Sequence, residues 1–285
     1  MNDRKKVLLV GCGDIGAVLG EYLANNNFDV TGLRRTPVED APFKMLAVDL
    51  FAPDTLSQLD NDYDFIVYTA TPSQMTAQAY EAIYVQGLQN LMAAIAPPKE
   101  RLLLVSSSGV YHQSKGEWVD EQSATQPQRF TGEVLLRSEQ LALETWPNTT
   151  VVRFSGIYGP GRFRLINKVQ QGCRVTETPP KYTNRIHRDD CAGLLAFMIE
   201  QQLQGVALDS IYIGSDHDPA TEAEVLDYIA SLLGLPAPER ETVGNEPVNQ
   251  NKRCSNQKVL DLGYRFKFPT YKEGYRELVD SLPKS

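Results

Sequence analysis

The stretch Val7-Leu8-Leu9-Val10-Gly11-Cys12-Gly13-Asp14-Ile15-Gly16, VLLVGCGDIG, decides how the rest of the chain is read. A short apolar run that stops at a glycine predicts a strand buried on both faces. The glycines after it follow the spacing G-x-G-x-x-G. From Ile15 onward Ile15, Leu19, Tyr22 and Leu23 recur at helical spacing. A strand, a glycine turn and a helix in that order make a cradle for phosphate. Gly11 permits the tight turn, Gly13 lets backbone approach a pyrophosphate, and Gly16 lets the helix pack on the strand. The helix start at Asp14 and Ile15 offers N–H groups and positive potential to the same phosphates. The stretch predicts a dinucleotide-binding turn through Gly11, Gly13, Asp14, Ile15 and Gly16.

The pattern repeats outward. Apolar runs at Phe28 to Leu33, Lys44 to Val48, Phe65 to Tyr68, Arg101 to Val105 and Thr149 to Phe154 alternate with helical spacings. The longest of these spacings are Ala77 to Ile95 and Gly132 to Thr145. Continuous apolar runs separated by helices predict a parallel sheet covered on both faces, an α/β doubly wound unit of the Rossmann type. Residues 1–160 read as this unit, and a late strand near 210–214 is expected to join it. Residues 161–285 read as a smaller, interleaved C-terminal substrate lobe. There Cys191 to Gln202 is a helix, and Thr221 to Glu224 is a capping box opening a helix that stops at Gly234. Ala237 to Arg253 is polar and reads as loop.

Composition narrows the function. The chain has 285 residues, 42% hydrophobic and 22% charged, enough to bury a sizeable core. A net charge of -8 with no basic run argues against nucleic acid and anionic membrane as partners. The four cysteines are scattered without paired spacing, which predicts reduced thiols, a cytoplasmic protein and no metal site. No apolar run approaches the length of a membrane span.

The end of the second strand selects the cofactor. An acid about 20 residues after the glycine turn would bond the adenosine ribose and select NAD, whereas arginine accommodates a 2′-phosphate. Here the stretch is Thr31-Gly32-Leu33-Arg34-Arg35, with no acid. Arg34 and Arg35 argue for NADP, with NAD as the alternative.

Several further motifs, taken together, resemble the extended short-chain dehydrogenases/reductases of the NAD-dependent epimerase/dehydratase type. They are Val48-Asp49-Leu50, Tyr68-Thr69-Ala70-Thr71, Gly87-Leu88-Gln89-Asn90-Leu91, Val105 to Tyr111, Arg153 to Gly161, Ile186 to Asp190 and Ser255 to Tyr264. The resemblance covers nearly the whole length. It implies that Asp49 and Leu50 meet the adenine, and that Thr69, Ala70, Thr71 and Ser106 line the cofactor's path. It implies that Ser107 is the catalytic serine. The implied partner is a small-molecule substrate, with nucleotide sugars as the class.

The chain also departs from this pattern. Tyr111-His112-Gln113-Ser114-Lys115 reads Y-x-x-x-K, but it follows the fifth strand directly and shows no helical pattern. Side chains at i and i+4 share a face only on a helix, so this pair is read as a decoy. The helix that carries such a pair in the family reads FTGEVLLRSE here, from Phe130 to Glu139. No register supplies Tyr and Lys; one alignment puts Leu135 and Glu139 at the two positions. The chain therefore resembles atypical members without the active-site tyrosine, including a small bacterial group.

Other candidates have two readings each. Ser107 either orients a substrate oxygen or caps a strand end. Tyr111 and Tyr158 are replacement acids or packed aromatics. Glu133 and Glu139 are acid/bases or helix-surface charge. Arg153 and Arg253 hold an anionic substrate or form ion pairs. Asp216-His217-Asp218-Pro219 reads as a polar turn. Two functions remain open: an NADP-dependent oxidoreductase or epimerase-like enzyme with a non-standard active site, and a catalytically silent dinucleotide sensor.

Overall fold

The computed structural model describes residues 4–242 and 250–283. Seven parallel strands form one sheet in the order Ile211–Gly214, Thr149–Phe154, Arg101–Ser107, Phe65–Tyr68, Lys6–Val10, Asp29–Arg34, Lys44–Ala47. The apolar runs of the sequence are its central strands. Leu8, Leu9, Phe65, Ile66, Leu102 and Leu103 have no exposed surface, as expected where helices cover both faces. Each such side chain contributes about 1.5–3 kcal/mol of hydrophobic stabilisation. This is the doubly wound α/β architecture that the sequence predicts, and the late strand Ile211–Gly214 forms one sheet edge.

Strand order reverses at Lys6–Val10. The chain moves from it to Asp29–Arg34 on one side, then returns to Phe65–Tyr68 on the other. In an open parallel sheet the crevice for a ligand lies at such a reversal, beyond the carboxyl ends of the strands.

Two compact units divide the chain. The first comprises residues 1–110, 127–153 and 192–212; the second comprises 111–126, 154–191 and 213–285. In the first, Leu8, Val10, Leu33, Ile66, Tyr68, Leu88, Leu91 and Leu102 belong to one apolar core. In the second, Tyr158, Ile166, Val225, Leu226, Ile229 and Tyr275 anchor another. Its helix Glu222–Leu233 opens on the capping box Thr221/Glu224 and ends at Gly234 with φ +66°. A second capping box, Thr270/Glu273, opens Tyr271–Asp280 and escaped the sequence reading.

Two segments differ from expectation. Ala77 to Ile95 is not one α-helix. It runs as Ala77–Tyr80, a π-helix over Glu81–Gly87, then Leu88–Ala94. Within Ala237 to Arg253, read as loop, Glu239–Thr242 pairs with Arg174–Thr178, and Lys252–Cys254 pairs with Glu117–Val119. These strands are short and polar, so they carry no alternating apolar signal. Part of that segment lies outside the described residues.

Candidate dinucleotide-binding site

Beyond the carboxyl ends of the first four strands lies a cleft of about 280 Å³. Its walls are Gly11 and Gly13 after the first strand, Leu33 to Thr36 after the second, Val48 to Phe51 after the third, and Ala70 and Thr71 after the fourth, closed by Ile83. Eight residues singled out in the sequence therefore meet here: Gly11, Gly13, Arg34, Arg35, Asp49, Leu50, Ala70 and Thr71.

The glycines have separate jobs. Gly11 has φ +85°, and a Cβ there would lie 2.3 Å from the Ala70 Cα, so only glycine fits. Gly16 packs close, with a Cβ placed 3.1 Å from both the Gly11 carbonyl oxygen and Thr69 Oγ1. Gly13 is different. A Cβ there would meet only the Gly11 carbonyl oxygen, at 3.9 Å, so the fold does not need a glycine at this position. The bare backbone faces the cleft, which is what close approach of a phosphate requires. Gly13 is also the N-cap of helix Asp14–Asn25, and no side chain caps that end. The first-turn N–H groups and the helix dipole suit an anion there. The residues present thus fit a dinucleotide pyrophosphate.

Other predicted residues support the cleft without forming its wall. Thr69 is buried, and its hydroxyl donates to the Gly11 carbonyl at 2.9 Å and reaches that of Val10 at 3.2 Å. It pins the glycine turn. Cys12 is buried and its thiol is pushed up to about 11 by burial, against the pull of Arg34, so it stays protonated. Asp14, Ile15 and Gly16 begin the helix.

Ser106 joins a buried charged cluster. Its hydroxyl donates to Glu139, whose carboxylate is ion-paired with Arg153 at 2.6 Å. All three are nearly inaccessible: Ser106 is 6% exposed, Glu139 2% and Arg153 3%. Glu139 is therefore neither surface charge nor an open acid/base, and Arg153 is committed to it. On the same helix, Leu135 is apolar and buried, so it has no proton to give. Ser107 Oγ accepts from the Gly109 N–H at 3.1 Å, a contact that leaves its O–H donor for either of its two readings.

The Y-x-x-x-K of the sequence is not a pair. Tyr111 has no exposed surface, Lys115 is exposed, and no helix joins them. Tyr158 is also buried, stacked on Tyr275 with ring centroids 4.6 Å apart. Arg253 lies over the rings of Trp118 and Tyr182 and donates to the Gly116 carbonyl. Among the described residues no cluster of metal-ligating side chains occurs, and no helix is long and apolar enough to cross a membrane.

Sequence reading missed Thr36, Phe51 and Ile83 as cleft residues. Phe51 is 45% exposed, an aromatic at a cleft mouth, and its position just after Asp49-Leu50 was the available signal. Ile83 gave none, because it sits inside an apparently regular helix.

The fold and cleft define a dinucleotide-type α/β protein, and the comparisons narrow it. Residues 5–277 match the family model described as the RmlD substrate binding domain, and the chain belongs to that family. It is a short-chain dehydrogenase/reductase of the atypical, epimerase/dehydratase-like kind. A solved structure provisionally named an NAD-dependent epimerase/dehydratase, from Methylobacillus flagellatus, is 35% identical, with 97% of this chain and 98% of that chain covered and a TM-score of 0.81. A human epimerase family protein solved with NADPH has 21% identity, 97% and 100% coverage and a TM-score of 0.78. The dTDP-glucose 4,6-dehydratase of Bacillus anthracis, solved with NAD, has 17% identity, 97% and 96% coverage and a TM-score of 0.76. The last two are alike in fold. No curated protein matches the chain.

Proposed function

We propose that this chain binds NADP(H) in the glycine-turn cleft and acts as an oxidoreductase or epimerase-like enzyme with a non-standard acid/base. The observation that carries the cofactor choice is Arg34 and Arg35 on the cleft wall, both exposed, after a second strand that ends without an acid. Two guanidinium groups beside the adenosine ribose would complement a 2′-phosphate and gain nothing from a free hydroxyl. When bound, the cofactor supplies hydride transfer at its nicotinamide; the protein's part is orientation and electrostatics. The substrate lobe is assigned to the second unit, with a nucleotide sugar as the substrate class.

The test is the double variant Arg34→Ala with Arg35→Ala. NADPH affinity should fall about tenfold or more, as expected for loss of charge-assisted phosphate contacts, while NADH affinity stays within about twofold. Equal losses for both cofactors would refute the 2′-phosphate assignment.

A second reading, a silent NADP sensor, is favoured by Ser107 serving its own turn and by the absence of Tyr and Lys on helix Phe130–Thr145. Turnover of NADPH with nucleotide-sugar or carbonyl substrates separates the two. Where turnover is found, Tyr111→Phe should lower kcat by much less than the factor of about 100 typical for a lost general acid. A larger loss with binding intact would make Tyr111 the acid.

A further inference from the structure

The cleft wall at Ile83 stands on an unusual piece of backbone. Glu81–Gly87 is a π-helix between two short α-helical turns. A π-turn holds one more residue than the α-turn it replaces, so it re-aims the residues around it by roughly 100° and loosens the local hydrogen-bond ladder. Such insertions are costly and occur often at functional sites. Here the insertion coincides with the cleft, because Ile83 lines it while Tyr84 and Leu88 are buried.

The π-helix is tied from outside at two places, by the Arg137 guanidinium at Glu81 and by a hydroxyl at Ile83 itself. Tyr68, at the end of strand Phe65–Tyr68, donates from its hydroxyl to the Ile83 carbonyl at 2.6 Å. Its ring has no exposed surface, and burial pushes its phenol far above the usual range, so the group remains a donor. The neighbourhood is shaped around it. A Cβ on Gly87 would lie 3.2 Å from the Tyr68 hydroxyl and 3.1 Å from Leu50 Cδ1. Asn90 donates to the Leu50 carbonyl at 2.8 Å, and Leu50 is itself a wall residue. The next residue along the strand, Thr69, holds the glycine turn on the facing wall. Consecutive residues of one strand end therefore brace two walls of one cleft.

We infer that Tyr68 is a positioning residue for the dinucleotide, holding the π-helix so that Ile83 packs against the bound cofactor. This rests on the dinucleotide reading. Tyr68→Phe removes one oxygen and keeps the ring. It removes this donor from the Ile83 carbonyl, and NADPH affinity should fall about fivefold, the effect of one such hydrogen bond.

Calorimetric titration of four proteins tests this: the parent, Tyr68→Phe, Ile83→Ala and the double variant. Ile83→Ala should weaken NADPH binding severalfold in the parent but much less in Tyr68→Phe, because the wall it truncates is already displaced. A structural role alone would make the two losses multiply independently. Should Tyr68→Phe fail to fold, Gly87→Ala presses on the same hydroxyl and takes its place in the cycle. Parent-like affinity in Tyr68→Phe, or independent losses, overturns the inference while leaving the dinucleotide reading intact. A parent that binds neither NADPH nor NADH removes both.

Discussion

Gly13→Asp should abolish dinucleotide binding, by about 100-fold or more, without unfolding the protein. The two halves of that expectation come from different observations. Binding is lost because the new carboxylate enters the space meant for a pyrophosphate, and juxtaposed like charges cost several kcal/mol. The fold survives because a Cβ at Gly13 meets nothing closer than 3.9 Å. Gly13 is moreover the N-cap of helix Asp14–Asn25, where aspartate is preferred over glycine. The melting temperature without ligand should equal or slightly exceed that of the parent. Gly11→Ala is the contrast. It forces a side chain to φ +85° and against the Ala70 backbone, and should destabilise the fold itself. If Gly13→Asp binds NADPH normally, the phosphates do not lie over this turn.

Arg153→Met should produce the largest loss of stability. It strands the Glu139 carboxylate, 2% exposed, with the Ser106 hydroxyl as its remaining donor partner among the contacts described. Removing one partner of a buried ion pair costs about 3–5 kcal/mol. For a chain of this size that lowers the melting temperature by roughly 10 °C. The double variant Arg153→Met with Glu139→Met removes both charges and should recover a large part of the loss, since an apolar pair of similar volume is often neutral. Thermal melts of the three proteins measure this. A single-variant fall of less than about 3 °C, or no recovery in the double variant, would show that the pair is not the buried unit described.

The legible and illegible parts of the sequence divide along physical lines. Val7 to Val10 and Phe65 to Tyr68 were readable because strands buried on both faces read as near-continuous apolar runs. Gly11 was readable because only glycine accepts its conformation. Glu139 was not, because one charged letter on a helix looks the same whether it faces water or a buried arginine from a strand. The π-helix was not either: Ala77 to Ile95 has enough apolar residues to satisfy a 3.6-residue period through a one-residue insertion. Lys252–Cys254 was hidden because an edge pairing of polar residues leaves no pattern. Thr69 was singled out from its place after the fourth strand, and its hydroxyl turns toward the glycine turn. Proximity along the chain does not set the direction of a side chain.

Titration of the unmodified protein with NADPH and with NADH is the most direct measurement of what the cleft is for. Binding of one NADPH per chain, at least about tenfold tighter than NADH, is the predicted result, because two arginines on the cleft wall would complement a 2′-phosphate. Equal or tighter binding of NADH would contradict it, as would the absence of binding by either.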